Sequence, residues 1–481
     1  MSDSAQDALD AGMAHLLAGR WEPGAQSLRI ALQSNPQRAD VWSNLGYALR
    51  EMGRAAEARE ALQQAVGLDP SLADSWNLLG LVAAGERKLE EAVGHFDRAI
   101  ALRPGFGLAW MNRANAHQAR GARDKALTDY ARALELVPGF AQIHYNLGHL
   151  HHKSTGDLAQ AIAHYREALR LEPRHATAHH NLSHALYLQG EFGEAWSESR
   201  WRPKRTRYER DLAKTSRAYS LPTRDEIAGA HIIVISEQGL GDALFYLRFA
   251  PALRELGATL DFAGLPRIHA MLARTGLFER VATTAAELDR PGAFHVLAGD
   301  LALIVQQAQP SIVLAPPLKL APDASRLDAM RSRLGSLGPP PYTALAWRSG
   351  ETQAGPRETL EKELPFEVLA RALPADNATL ISVQRSPRTG ETELLASLAG
   401  RTVHDLSDIN VDLDDCLALM AAADDYVGVS STLVHLRASA GGAGRVFVPF
   451  PWEWRWMARG DSPWFPGMTV IRQTPGGRWP E

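Results

Sequence analysis

The 481-residue chain has one cysteine, Cys416, so an internal disulfide is excluded and a reducing compartment fits. It has no apolar run as long as the ~18 residues that a membrane-spanning helix needs, so no span is expected. The first residues, MSDSAQDALDAG, lack the basic and then apolar stretches of a secretory leader, and the expectation is a cytoplasmic protein. Neither charge sign prevails. Lys and Arg number 51 against 55 Asp and Glu, and a net charge of −4 gives no reason to expect nucleic acid or anionic membrane as the partner. Aromatic residues are scarce, at 7%, yet several of them recur at fixed intervals.

What is present is periodic. Pro36, Pro70, Pro104, Pro138 and Pro173 lie 34, 34, 34 and 35 residues apart, in phase with Trp42, Trp76 and Trp110 and with Ala58, Ala92 and Ala126. Such phase-locking means one helical hairpin copied along the chain. Six units begin near residues 5, 39, 73, 107, 141 and 176, and the fifth carries one extra residue in its turn, 153–157. Small residues such as Gly46 and Ala58 let paired helices approach, and the proline stops the second helix. The first and last units are degenerate, as ends that cap a stack must be. The pattern resembles the tetratricopeptide repeat.

The sixth place of each unit holds Asp10, Asn44, Leu78, Asn112, Asn146 and Asn181. In tetratricopeptide glycosyltransferases of the O-linked GlcNAc transferase type, asparagines here form a ladder. The resemblance implies that Asn44, Asn112, Asn146 and Asn181 grip the backbone of an acceptor peptide, since amides both donate and accept. The plainer reading is that Asn before Leu-Gly is common in these repeats. Nine histidines, from His144 to His184, crowd units five and six. No acidic or cysteine ligand joins them at metal spacing, so helix-face packing is expected and a metal is not. His149 and His184 are expected on the asparagine side, where they make the groove mildly pH-sensitive. The basic run 199–210 reads as the end of the last repeat plus a connector packed on the next domain.

Beyond residue 210 the chain alternates strand, loop and helix. Strands are expected at 231–235, 259–263 and 293–297, then, past the proline-rich stretches 314–322 and 338–342, at 343–347, 380–384, 402–406, 425–429 and 445–449. This spacing predicts two doubly wound α/β lobes, 211–330 and 331–481, after a repeat solenoid at 1–210. The first strand leads into SerGluGlnGlyLeuGlyAsp (236–242). Gly239 and Gly241 let backbone approach a ligand there, and Asp242 is either a helix cap or a base aimed into a cleft.

GluGlnGlyLeuGlyAsp with ArgPheAlaPro (248–251) resembles the first motif of tetratricopeptide-linked glycosyltransferases related to the lipopolysaccharide heptosyltransferases. The segment 430–445, ProTrpGluTrpArgTrp (451–456) and AspSerProTrpPheProGlyMet (461–468) are similar to that family's donor-binding and closing motifs. The resemblance implies a GT-B fold, with nucleotide sugar on the second lobe and acceptor on the first. Ser430, Ser431 and Thr432, at a helix start, would hold the diphosphate, although a plain serine cap is the simpler reading. His435 would face the phosphates or sugar. Arg348, Ser349 and Gly350 match a binding loop, Gln384 and Asp408 match positions near the nucleoside, and Lys362 or Arg357 would supply a cation. Two departures stand out. Ser430 replaces a usual acidic residue, and Glu351 follows Trp347–Gly350 where asparagine is usual.

The function so implied is a metal-independent, inverting glycosyltransferase without a cofactor. It would move a sugar from a nucleotide sugar to a protein recruited by the repeats, a bacterial flagellin or other surface protein, with Asp242 as base or acceptor-orienting carboxylate. The alternative is a binding scaffold whose GT-B half has lost its chemistry. The departures at Ser430 and Glu351 favour that alternative.

Overall fold

The computed structural model describes residues 3–214, 219–312, 314–349, 362–374 and 377–480. These fall into two compact units, one of residues 1–154 and 159–175, the other of 155–158 and 176–481. Gly350, Glu351 and Arg357 lie outside the described residues.

The first unit is a run of antiparallel helix pairs: Asp3–Leu17 with Trp21–Ser34, Ala39–Glu51 with Ala55–Leu68, Ala73–Gly85 with Leu89–Leu102, Gly107–Ala119 with Arg123–Leu136, and Ala141–Leu150 with Leu158–Leu171. The sequence periods have direct physical counterparts. The indole N–H of Trp42 donates to the Pro36 carbonyl (2.9 Å), Trp76 to Pro70 (3.0 Å) and Trp110 to Pro104 (3.0 Å). His144 takes the same place in the next unit, its Nε2 lying 3.4 Å from the Pro138 carbonyl. Where the repeat has glycine, the partner helix fills the space. A Cβ on Gly46 would meet Leu62 Cγ at 2.5 Å, and one on Gly148 would meet the Tyr165 ring at 2.7 Å. The extra residue of the fifth unit is absorbed by a π turn, His151–Thr155, continuing from Ala141–Leu150.

The second unit begins with the sixth hairpin, Ala176–Gln189 and Phe192–Glu198, followed by the helix Pro203–Ala213. Two sheets follow. The first contains β1 (His231–Ile235), β2 (Thr259–Ala263), β3 (Val281–Ala282) and β4 (Phe294–Leu297), all parallel, in the order β3-β2-β1-β4. The chain then forms β5 (Tyr342–Ala346), a small antiparallel hairpin of β6 (Arg348–Ser349) with β7 (Lys362–Glu363), β8 (Thr379–Ser382), β9 (Val403–Asp405), β10 (Asp425–Val429), β11 (Gly444–Val448) and β12 (Met468–Arg472). Without the hairpin these make a six-stranded parallel sheet in the order β12-β11-β10-β5-β8-β9. Numbered within the sheet, that order is the 3-2-1-4-5-6 of a doubly wound nucleotide-binding fold.

Two boundaries move from where the sequence pattern puts them. The sixth hairpin is grouped with the second unit, where Tyr187 stacks on Trp454 (4.3 Å between ring centres) and Trp196 meets Phe249 (5.5 Å) and Trp464 (5.8 Å). The change of lobe lies near 314–322 rather than at 330. The Leu320 N–H already donates to the Ser439 carbonyl (3.1 Å), and the helix Ala324–Leu337 packs on Leu413–Ala422 beside the second sheet.

Candidate functional site

In a doubly wound sheet the two strands at which the chain reverses direction leave a crevice beyond their carboxyl ends. In the second sheet these are β5 and β10. Their outgoing loops are tied together: Ser349 Oγ donates to the Ser430 carbonyl (2.8 Å), and Lys362 Nζ, paired opposite Ser349 in the small hairpin, lies 3.5 Å from the same oxygen. The helix Thr432–Ser439 starts here. Ser431 precedes it in an extended conformation, and its side chain makes no capping bond to the first turn. The Ser431 side chain therefore does not cap the helix, and although the Val434 N–H donates to the Ser431 carbonyl (3.2 Å), the side chain leaves the Thr432 and Leu433 N–H groups for an anion.

The first lobe contributes from the opposite side. Gly239 caps the helix Leu240–Tyr246, which places Asp242 in the first turn, not at the cap. The carboxylate of Asp242 instead takes a hydrogen bond from Arg455 on Oδ1. Arg455 is buried, with its guanidinium 4.7 Å from the centre of the Phe245 ring and 4.6 Å from that of Trp454. Its other terminal nitrogen donates to Glu453 Oε1 (2.7 Å), and Glu453 Oε2 accepts from Lys362 and from Ser430 Oγ (2.8 Å). The result is a row of alternating charges, Asp242, Arg455, Glu453 and Lys362. Burial pushes the Glu453 carboxyl up, but Lys362 and Arg455 more than reverse it and hold it well below the ordinary range. Burial lowers Arg455 as well, and the two carboxylates overcome this and raise it.

Other expected site residues have structural work instead. His435 is buried against Gly241, where a Cβ would come within 3.2 Å of its ring, and beside Phe465 (5.1 Å between ring centres). It is shielded from solvent, and burial, with Arg455 and Arg248 nearby, holds it far below the usual histidine range. Arg348 is committed to Glu391 (2.6 Å) and the Ser386 carbonyl (3.2 Å). Gln384 accepts from the Trp347 and Arg348 N–H groups (3.0 and 2.9 Å) and donates to the Arg348 and Arg385 carbonyls (3.1 and 2.9 Å). Four bonds use up that amide, so it fixes the loop after β5 and has nothing left for a nucleoside. Asp408 follows edge strand β9, separated from β5 by β8, and is exposed in a bidentate pair with Arg333 (2.9 Å each). Two cavities lie elsewhere, one of about 820 Å³ at Arg388, Gly390 and Arg401 and one of about 630 Å³ at Tyr219 and His295.

The corresponding crevice of the first sheet, between β1 and β4, is occupied by the chain itself. Arg202 donates to Glu237, which follows β1 (2.7 Å), and to Asp300, which follows β4 (2.7 Å). Arg205 (3.0 Å) and the Tyr219 hydroxyl (2.6 Å) complete Asp300, and the Gly299 N–H donates to Glu237 (3.0 Å). The basic run 199–210 is thus a plug and anchor for the first lobe.

In the repeats the asparagines bond to one another. Asn112 is buried and donates to Asn77 (2.9 Å) of the preceding unit, while Asn146 donates to Asn115 (2.9 Å) and accepts from Gln142 (2.7 Å). Asn44 is half-buried on its helix, and Asn181 belongs to the second unit. Asn112 and Asn146 are therefore stitches between repeats before they are peptide ligands. The partners Asn77 and Asn115 went unread because they stand outside the sixth place. Glu453 and Arg455 lie in the closing motif 451–456 and Arg202 in the basic run 199–210, but sequence spacing gives no signal for the partners they take, up to 213 residues away. Among the described residues no group of three or more His, Cys, Asp or Glu could hold a metal, and no helix is long and apolar enough to cross a membrane.

Residues 9–73 and 44–105 match a family model described as the tetratricopeptide repeat, and 114–155 and 152–190 match one described as a TPR repeat. The chain is 25% identical over 319 residues to Protein FlbA of Caulobacter vibrioides, which covers 60% of this chain and 51% of FlbA. It thus spans about half the length of that curated relative. Among solved structures, PilW, titled a widely conserved type IV pilus biogenesis factor, is 18% identical with a TM-score of 0.37, covering 45% of this chain and 95% of PilW. YrrB, titled a TPR protein with an unusual peptide-binding site, is 20% identical with a TM-score of 0.31, covering 36% of this chain and 89% of YrrB. The amino-terminal part of the chain is a tetratricopeptide array, a scaffold for protein interaction, and parallel α/β sheets follow it.

Proposed function

We propose that the chain is a GT-B glycosyltransferase that moves a sugar from a nucleotide sugar to a protein held by the repeats. The observation that supports this best is the crevice at β5 and β10, where Ser349, Ser430 and Lys362 gather beside an uncapped helix start and Asp242 stands opposite. The other nucleotide position is plugged by Arg202, which leaves one lobe for the donor and the other for the acceptor. In the reaction an acceptor hydroxyl attacks the anomeric carbon as its proton passes to Asp242. The bond from that carbon to the diphosphate oxygen breaks, with inversion. Arg455 holds Oδ1 of Asp242 in place, so Oδ2 receives the proton. The departing charge is met by Lys362 and the helix start, which stand where a metal would otherwise be needed. A flagellin or other bacterial surface protein is the acceptor class expected, and the cytoplasm the compartment.

A second reading, a scaffold without catalysis, is favoured by the commitment of Arg348, Gln384 and His435 to internal contacts. One comparison separates the two. With the wild type, the intact mass of a candidate acceptor rises by one sugar; with Asp242→Asn, transfer falls at least ~100-fold while nucleotide-sugar binding, read as a thermal shift, is unchanged. Equal transfer by the mutant removes Asp242 from the mechanism. A wild type that neither shifts nor transfers with any donor leaves the scaffold.

A further inference from the structure

The closing segment carries a carboxylate into the crevice just described. Glu453 is held on both oxygens, by Arg455 on one (2.7 Å) and by Ser430 Oγ (2.8 Å) and Lys362 on the other. Its side chain is only 17% exposed, against 23% for Lys362 and 8% for Arg455. A hydroxyl and two cations converging on one carboxylate from different strands and loops make the contact set that a phosphate oxygen takes. Arg455 has a further donor to offer, since its buried Nε has no partner. With Asp242 on the far side of Arg455, the four charges of the row cancel. An incoming anion therefore meets no net attraction until Glu453 moves aside.

We propose that Glu453 is an internal stand-in for phosphate: it fills the anion site of this crevice, and a diphosphate binds there by evicting it. Eviction exchanges one negative charge for two or three on the same cations, so the gain grows with the charge of the ligand. Orthophosphate and carboxylates gain little by the exchange, whereas the diphosphate of a nucleoside diphosphate gains most. The sequence departure at Ser430 fits this arrangement, because the carboxylate absent from that position reaches the same place from Glu453.

This inference rests on the crevice being the diphosphate site, and its test needs no sugar transfer. Titration calorimetry of the full chain with inorganic pyrophosphate and with orthophosphate compares wild type with Glu453→Gln. The substitution should tighten pyrophosphate and orthophosphate binding by the same factor, about tenfold, because the cost of moving Glu453 is common to both. Lys362→Met should abolish binding of both. Unchanged or weaker pyrophosphate binding in Glu453→Gln overturns the proposal. Should that variant fold poorly, wild-type crystals soaked in pyrophosphate decide: Glu453 must have left Lys362, and a carboxylate still seated there beside bound pyrophosphate overturns it. Tighter binding without any transfer by wild type sinks the enzyme and keeps the stand-in, while transfer with no effect of Glu453→Gln does the reverse.

Discussion

Arg87 has φ +61° in the turn between paired helices, where the equivalent turns carry Gly19, Gly53, Gly121 and Gly190 at +68°, +74°, +75° and +95°. A side chain in this left-handed region costs about 1–2 kcal/mol, which glycine avoids. Because glycine also has more freedom to lose on folding, Arg87→Gly should stabilise the chain by a net ~0.5–1 kcal/mol, read as a higher denaturant midpoint at unchanged slope. At this scale the sequence is informative about residue type and poor about commitment. The resemblance puts Gln384 near a nucleoside, and only the loop folded around it shows that all four of its bonding positions are taken.

Among elements, the hairpins were legible because each is specified within one period. Tryptophan, proline and glycine sit on adjoining turns and meet whichever unit they belong to. The glycine places should tolerate nothing larger. Gly148→Ala drives a Cβ to within 2.7 Å of the rigid Tyr165 ring and should cost about 1–3 kcal/mol in thermal unfolding, partly recovered by Tyr165→Leu. Strands β1, β2 and β10 fall at the residues expected from the sequence, 231–235, 259–263 and 425–429. By contrast β3, two residues long, carries too little pattern of its own and exists through its neighbour β2, while β12, whose run 469–471 is β-branched, pairs with β11 as an edge strand. The asparagine series was visible as a period, while its bonding to Asn77 and Asn115 required the stacked helices.

Across the second unit, the Arg202 cluster joins the end of the sixth hairpin to both strands flanking the first crevice. Arg202→Met leaves Glu237 buried without its cation and Asp300 with Arg205 alone, and should cost about 3–5 kcal/mol at neutral pH. The sign of the pH dependence follows from Asp300. Burial pushes its carboxyl up, but Arg202, Arg205 and Tyr219 outweigh this and hold it below its usual value. Its contribution is therefore full above the ordinary carboxylate range and is lost as pH falls through the lowered folded-state value. The gap in melting temperature between wild type and Arg202→Met should accordingly be widest near neutrality and shrink in acid. A gap that stays constant down to acid pH would remove Asp300 from the account.

The sequence by itself determined the repeat period, the switch from helical to strand-and-helix grammar, and the loops that end β1, β5 and β10, because each is written in a short contiguous stretch. Only the tertiary structure decided that the sixth hairpin belongs with the α/β lobes, that Arg202 closes one crevice, and that Glu453 and Arg455 stand in the other. Those outcomes join residues scores to hundreds apart in the chain, and such pairs are fixed by packing and charge after folding rather than by any local pattern.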